Sequence, residues 1–248
     1  MNCRRPLALL MLALAACARN PAPAAPMTGP PDPDDIARRF SDIVLAHIAS
    51  DSVPGAIYAL SDGKGVTIAG GHGVADVEHH IPVTDSTLFN IASVSKPITA
   101  ILVTRLVLQK ELSFDEPVAA MVRGWTPPRG FDSTITVRHL LSHSSGLGMP
   151  SVPCPPLDSA RPNTADALRG SFGGARHGYG HFVVVNAEGD TIIFHSGGNP
   201  CAVAYLAVNR RRHAAIFVAA NSERGIGLVR HLVSEWAREG GFSPPPVF

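Results

Sequence analysis

IASVSKPITA, Ile91 to Ala100, places a serine three residues before a lysine at the start of an apolar run. Positions i and i+3 share one face of a helix, so the Lys96 amine can approach the Ser93 hydroxyl from one turn below. A neutral lysine can take a serine's proton, and burial favours the neutral form. At a helix N-terminus, backbone N–H groups also favour negative charge as it develops. Pro97 is tolerable because the helix has only begun. Ile98, Ile101, Leu102, Val103, Leu106, Val107 and Leu108 then make the helix apolar nearly all round, which predicts a central, buried element. Ser-x-x-Lys alone recurs by chance in many proteins, and a helix start that merely contains both residues accounts for it too. The sequence on either side decides between the two.

On the N-terminal side, Ile36, Phe40, Ile43, Val44 and Ile48 give Asp35–Ser50 helical periodicity, broken by Pro54-Gly55. A β-hairpin is expected around Asp62–Gly65, followed by a loop. On the C-terminal side, Thr136–Ser142 reads as a short helix with Thr136 as N-cap. Residues 148–180 are dense in Pro, Gly and small polar residues, unusual for so long a stretch inside one domain. Beyond them the pattern turns to strands. One hairpin turns at Glu188-Gly189-Asp190, and a second turns around Arg210–His213, where the arginine triplet reads as a solvated turn. Asn221 is expected to cap the next turn, and Ile226–Glu239 is an amphipathic helix. Strands joined by short turns give an antiparallel sheet covered by the terminal helices.

Residues 1–16 form a signal peptide, with Arg4 and Arg5 before the apolar run Pro6–Ala16. Leu14-Ala15-Ala16-Cys17 resembles a bacterial lipobox, in which Cys17 would carry lipid; plain cleavage nearby is the alternative. Pro/Ala-rich residues 17–34 read as a semi-rigid spacer, so the expected domain is 35–248. This predicts an exported protein of the bacterial cell envelope, lipid-anchored on the periplasmic side of a membrane, and Ala18 after the cysteine favours the outer membrane. Cys154 and Cys201 remain in the domain, and export permits but does not require their pairing. A net charge of +1, with no basic run longer than Arg210–Arg212, gives no sign of nucleic acid binding. His72, His79 and His80 lack metal-ligand spacing, so neither metal nor cofactor is expected.

Several ordered blocks then point the same way. Phe89-Asn90-Ile91-Ala92-Ser93-Val94-Ser95-Lys96 resembles the nucleophile motif of the serine β-lactamase and penicillin-binding superfamily, in its class C-like branch. Leu112–Val118 resembles that branch's L-x-L-D-x-P-V segment. Ile135–Leu147 is similar to its T-I-R-H-L-L-T-H-T-S-G-L block, and His195-Ser196-Gly197 stands where the branch has H-x-G. The resemblance implies a mixed α and β fold of the β-lactamase/transpeptidase type, an antiparallel sheet flanked by N- and C-terminal helices. It also implies an acyl-enzyme on Ser93 activated by Lys96, a cleft lined by His195, Ser196 and Gly197, and a β-lactam, D-amino-acid peptide or ester as substrate. A peptidoglycan-like peptide is the natural partner of that chemistry.

The chain also departs from the branch. Tyr58, Tyr179 and Tyr205 are its three tyrosines, and none stands in the branch's Y-x-N motif. Residues 148–176 occupy the place of a sizeable helical lobe, so a truncated lobe is expected. A positioned acid/base contributes about 10²–10⁴-fold, so activity is expected to be impaired. Among His143, His177, His181 and His195 as substitutes, His195 alone matches a cleft position; His143 belongs to a block that orders a loop. A catalytically degenerate lipoprotein or binding pseudo-enzyme is the alternative reading.

Overall fold

The computed structural model describes residues 32–51, 53–62, 67–126, 135–147 and 175–247. The expected signal peptide, Cys17, most of the expected spacer, Cys154 and nearly all of the expected truncated lobe lie outside them.

Helix α1 (Pro33–Asp51) opens with Pro33, whose missing N–H costs nothing at a helix start, and with Asp34 and Asp35 in its first turn. Eight strands follow: β1 (Gly55–Ser61), β2 (Thr67–Asp76), β3 (Ile81–Pro82), β4 (Arg176–His177), β5 (Phe182–Val185), β6 (Thr191–Asn199), β7 (Ala202–Asn209) and β8 (Ala214–Ala220). They form one antiparallel sheet in the order β3-β2-β1-β8-β7-β6-β5-β4. The last hairpin therefore pairs with the first, along the register Ala56↔Ala220 to Ser61↔Ala215.

Period-2 alternation divides the sheet's side chains between two faces. One face packs against α1 and the C-terminal helix α5 (Ile226–Gly240), burying Phe40, Val44, Tyr58, Phe194, Tyr205, Val218, Leu228, Leu232 and Trp236. The other face carries Ala204 and Ala219, with Ile57, Leu206 and Phe217 beside them, and covers Val94. This second face supports the Ser–Lys segment.

That segment is a 3-10 turn, Ala92–Val94, running into α2 (Ser95–Leu108). The expectation of a central helix is corrected here. Pro97 and Ala100 are the buried residues of α2, while Ile101 is 68% and Leu108 79% exposed. The sheet packs on the 3-10 turn before the helix, and Gly180 lies against its Lys96–Ala100 edge.

Two short helices, α3 (Val118–Met121) and α4 (Val137–Leu141), complete the described elements of that side. Thr136 caps α4 as expected, in a reciprocal arrangement: its hydroxyl accepts from the His139 N–H, and its own N–H donates to the His139 ring. Arg138 makes a fork to Asp115 at 2.8 and 3.0 Å, tying α4 to the Leu112–Val118 segment.

Two polar expectations change. The arginine triplet is more than a solvated turn: Arg212 Nε donates to the fully buried Asp190 at 2.8 Å, and Asn209 Nδ2 donates to the same oxygen at 3.1 Å. Asn221 bridges strands instead of capping a turn. It accepts from the Gly55 N–H at 2.7 Å and donates to the Val74 carbonyl at 2.9 Å. Ser222 performs the cap, accepting from the Arg224 N–H.

Candidate active site

Asn90 starts the site. Its side chain accepts from the Ala92 N–H at 2.8 Å, and Ala92 adopts a left-handed conformation, φ 44°. Non-glycine residues enter that region at an energetic cost, commonly where function requires a sharp turn. The turn presents Ser93 at the head of α2, and the Lys96 Nζ donates to Ser93 Oγ at 2.6 Å. The i, i+3 contact expected from spacing is therefore made. Burial holds the Lys96 amine below its ordinary value, which favours the neutral form.

Strand β6 forms the floor. His195 and Gly197 point to the Ser93 face, opposite Leu206 and Ala204 of β7. Gly197 lies so near the nucleophile turn that a Cβ there would fall 2.5 Å from the Ile91 carbonyl oxygen and 2.8 Å from the Ser93 nitrogen. Alternation turns Ser196 towards Tyr205 and the helix-covered core, so it meets the site through its carbonyl. That carbonyl accepts from His195 Nδ1 at 2.5 Å. Burial pushes the His195 imidazole down to about 4, leaving it neutral near pH 7. Pro200 and Cys201 make the turn from β6 to β7, with the Cys201 N–H donating to the Asn199 side chain at 2.9 Å. Cys201 is exposed and free.

More histidines gather at the rim. The His143 and His177 rings meet edge to face, centroids 4.8 Å apart; His177 packs in turn on Phe182 at 5.0 Å, and Phe182 on His195 at 5.3 Å. Both His177 ring nitrogens are buried without a hydrogen-bond partner, and burial pushes its imidazole down to about 4. Burial, and then the charge of Lys96, lower His143.

The three tyrosines are committed elsewhere. Tyr58 donates to the Ala37 carbonyl, Tyr205 to the Pro246 carbonyl, and Tyr179 accepts from Arg138 at 2.5 Å. Among the described residues, no three His, Cys, Asp or Glu side chains group to hold a metal ion. Nor is any described helix long and apolar enough to cross a membrane.

What sequence reasoning missed here is Asn90 as a turn former, and the way Gly180 lies against α2. Asn90 sat within the quoted motif, and an Asn two residues before a strained position is a recognisable turn signal.

Residues 40–168, just over half of the chain, match the Beta-lactamase family. Esterase EstB of Burkholderia gladioli is 34% identical over 119 residues, 47% of this chain and 30% of that protein. The human mitochondrial serine beta-lactamase-like protein LACTB is 36% identical over 134 residues, 51% of this chain and 24% of that protein. The chain thus spans less than a third of the length of these curated relatives. A class C beta-lactamase structure superposes with a TM-score of 0.65 at 14% identity, covering 84% of this chain and 97% of that one. The D-amino acid amidase of Ochrobactrum anthropi does so with 0.60 at 16%, covering 83% and 98%.

Proposed function

Because the chain belongs to the Beta-lactamase family of serine hydrolases, we propose that it hydrolyses an amide or ester through an acyl intermediate on Ser93. The 2.6 Å contact between Lys96 Nζ and Ser93 Oγ carries this reading. With Lys96 neutral, the contact becomes Oγ–H donating to Nζ. As Oγ bonds to the substrate carbonyl carbon, Lys96 takes its proton. The Ser93 N–H, beside Gly197 on β6, stabilises the oxyanion. The tetrahedral adduct then collapses, and Lys96 gives the proton to the leaving amine or alkoxide.

The substrate class is a β-lactam, a small ester or a D-amino-acid peptide of the peptidoglycan kind. Each presents a carbonyl that a serine can attack, and similarity to an esterase, a β-lactamase and a D-amino acid amidase supports the choice. With every tyrosine committed elsewhere, turnover is slow relative to acylation. Lipid attachment at Cys17 would place this chemistry on the periplasmic face of an envelope membrane, supported by the Leu14–Cys17 sequence and the spacer after it. The same tyrosine arrangement supports a second reading, a degenerate family member that binds without turning over.

Incubating the full chain and a Ser93→Ala variant with a fluorescent penicillin and a fluorophosphonate, then measuring intact mass, separates the two readings. The hydrolase reading expects an adduct on the wild-type chain that Ser93→Ala loses. A folded wild-type chain that neither probe labels would leave the binding reading as the better one.

A further inference from the structure

An ester on Ser93 is released only when water attacks it, and that water needs a base. We propose that His143 is this base, taking the proton of the water that attacks the acyl-Ser93 carbonyl. The assignment rests on the acyl-enzyme reading above.

The backbone holds the end of α4 near the Lys96 turn in two steps. Gly180, at φ 66°, lies against the first turns of α2 so closely that a Cβ there would fall 2.7 Å from the Lys96 carbonyl oxygen and 3.0 Å from the Ala100 Cβ. The same Gly180 donates its N–H to the Leu141 carbonyl at 2.9 Å. The end of α4, and His143 two residues beyond Leu141, are thereby held beside the turn that carries Lys96. His143 is the left-handed residue, φ 55°, that closes α4: its N–H donates to the Leu140 carbonyl at 3.2 Å and the Ser144 N–H to the His139 carbonyl at 2.9 Å, which fixes where its side chain leaves the backbone. The ring then meets the His177 ring edge to face at 4.8 Å, backed by Phe182. With no hydrogen bond of its own, His177 acts as a wall that orients His143.

The other ionisable groups around Lys96 suit the task less well. His195 is 6% exposed, so water reaches it poorly. His181 donates Nδ1–H to the Tyr179 carbonyl at 2.7 Å, and its Nε2, the atom left to act as a base, lies against Gly178. His143 is half-buried, so part of it stays open to water. Its imidazole is held below the ordinary value, chiefly by burial, so it is neutral near pH 7, the form a base requires.

The step balances. The water oxygen bonds to the acyl carbon while its proton passes to the unprotonated ring nitrogen of His143. The C–Oγ bond breaks, and the proton moves from His143, by way of Lys96, to Oγ. The acid leaves, and the enzyme returns with Ser93 protonated and both bases neutral.

The test uses the full chain and p-nitrophenyl acetate. His143→Gly and His143→Asn suit the left-handed backbone, so both should fold with an undiminished melting temperature. Both should still show a burst of nitrophenolate, with steady-state turnover reduced about 10²-fold or more and acetyl-Ser93 persisting in intact mass. Added imidazole should restore turnover to His143→Gly. Wild-type turnover in the variants, or burst and turnover falling together without rescue by imidazole, would overturn the assignment. A wild-type chain that never gains acetyl on Ser93 would overturn the acyl-enzyme reading and the assignment with it.

Discussion

At the scale of single residues, the nucleophile depends on a glycine it does not touch through any side chain. Gly197 gives β6 the room to lie against Ile91 and Ser93, and the space a Cβ would need is already filled by backbone atoms on the nucleophile turn. Backbone cannot rotate aside as a flexible side chain can, so an added methyl must push the turn away from the strand. The Ser93 hydroxyl would then lose its alignment with both Lys96 and the oxyanion site. A displacement near 1 Å in a reacting group can cost about 10²-fold. Gly197→Ala should therefore slow fluorophosphonate labelling of Ser93 by about that factor, while far-ultraviolet circular dichroism stays unchanged. Labelling at the wild-type rate would mean that β6 does not position the nucleophile.

At the scale of elements, the parts fixed by side-chain period were legible in the sequence. The hairpins β5–β6 and β7–β8, the first helix and the last all fall close to where alternation and helical spacing put them, because one face of each is buried and a slip of register would expose it. Helix α2 was legible as a helix but not in its placement. Apolar side chains state what a surface can bury, not whether a neighbour is there to cover it, and Ile101 and Leu108 stay largely exposed. The polar ties between elements distant in sequence were not legible. Asn221 next to a turn looks like a cap, and only the pairing of β1 with β8, across more than 150 residues of chain on the sequence map, brings it to Gly55 and Val74. Removing it strands a part-buried donor and acceptor on two neighbouring strands. Asn221→Ala should cost about 2 kcal/mol, measured by urea unfolding, with the denaturant slope unchanged. A change within error of zero would show that water replaces the side chain without loss.

At the scale of the whole molecule, the histidines of β4 and β6 give the fold a pH limit separate from that of its carboxylates. His177 and His195 are both pushed down to about 4, mainly by burial, with Lys96, His143 and His181 adding positive charge nearby. An unfolded chain offers them the ordinary value of about 6.5. Between these two limits the unfolded state binds more protons than the folded one, so stability rises with pH across the interval. It is fully present above about pH 6.5 and is lost as pH falls towards 4, before the Glu235 carboxylate, held low by Arg238, has to be protonated. His177 allows the source to be isolated, since its ring nitrogens make no hydrogen bond and its neighbours are aromatic. Replacing it with phenylalanine keeps an aromatic ring between His143 and Phe182 and removes the proton site. Melting temperature followed from pH 7.5 to pH 5 should therefore fall by several degrees in the wild-type chain and by visibly less in His177→Phe. Parallel curves for the two proteins would locate the acid sensitivity outside this cluster, and a variant that melts lower at every pH but with the same slope would show that the ring's shape, not its protonation, is what the fold requires at that position.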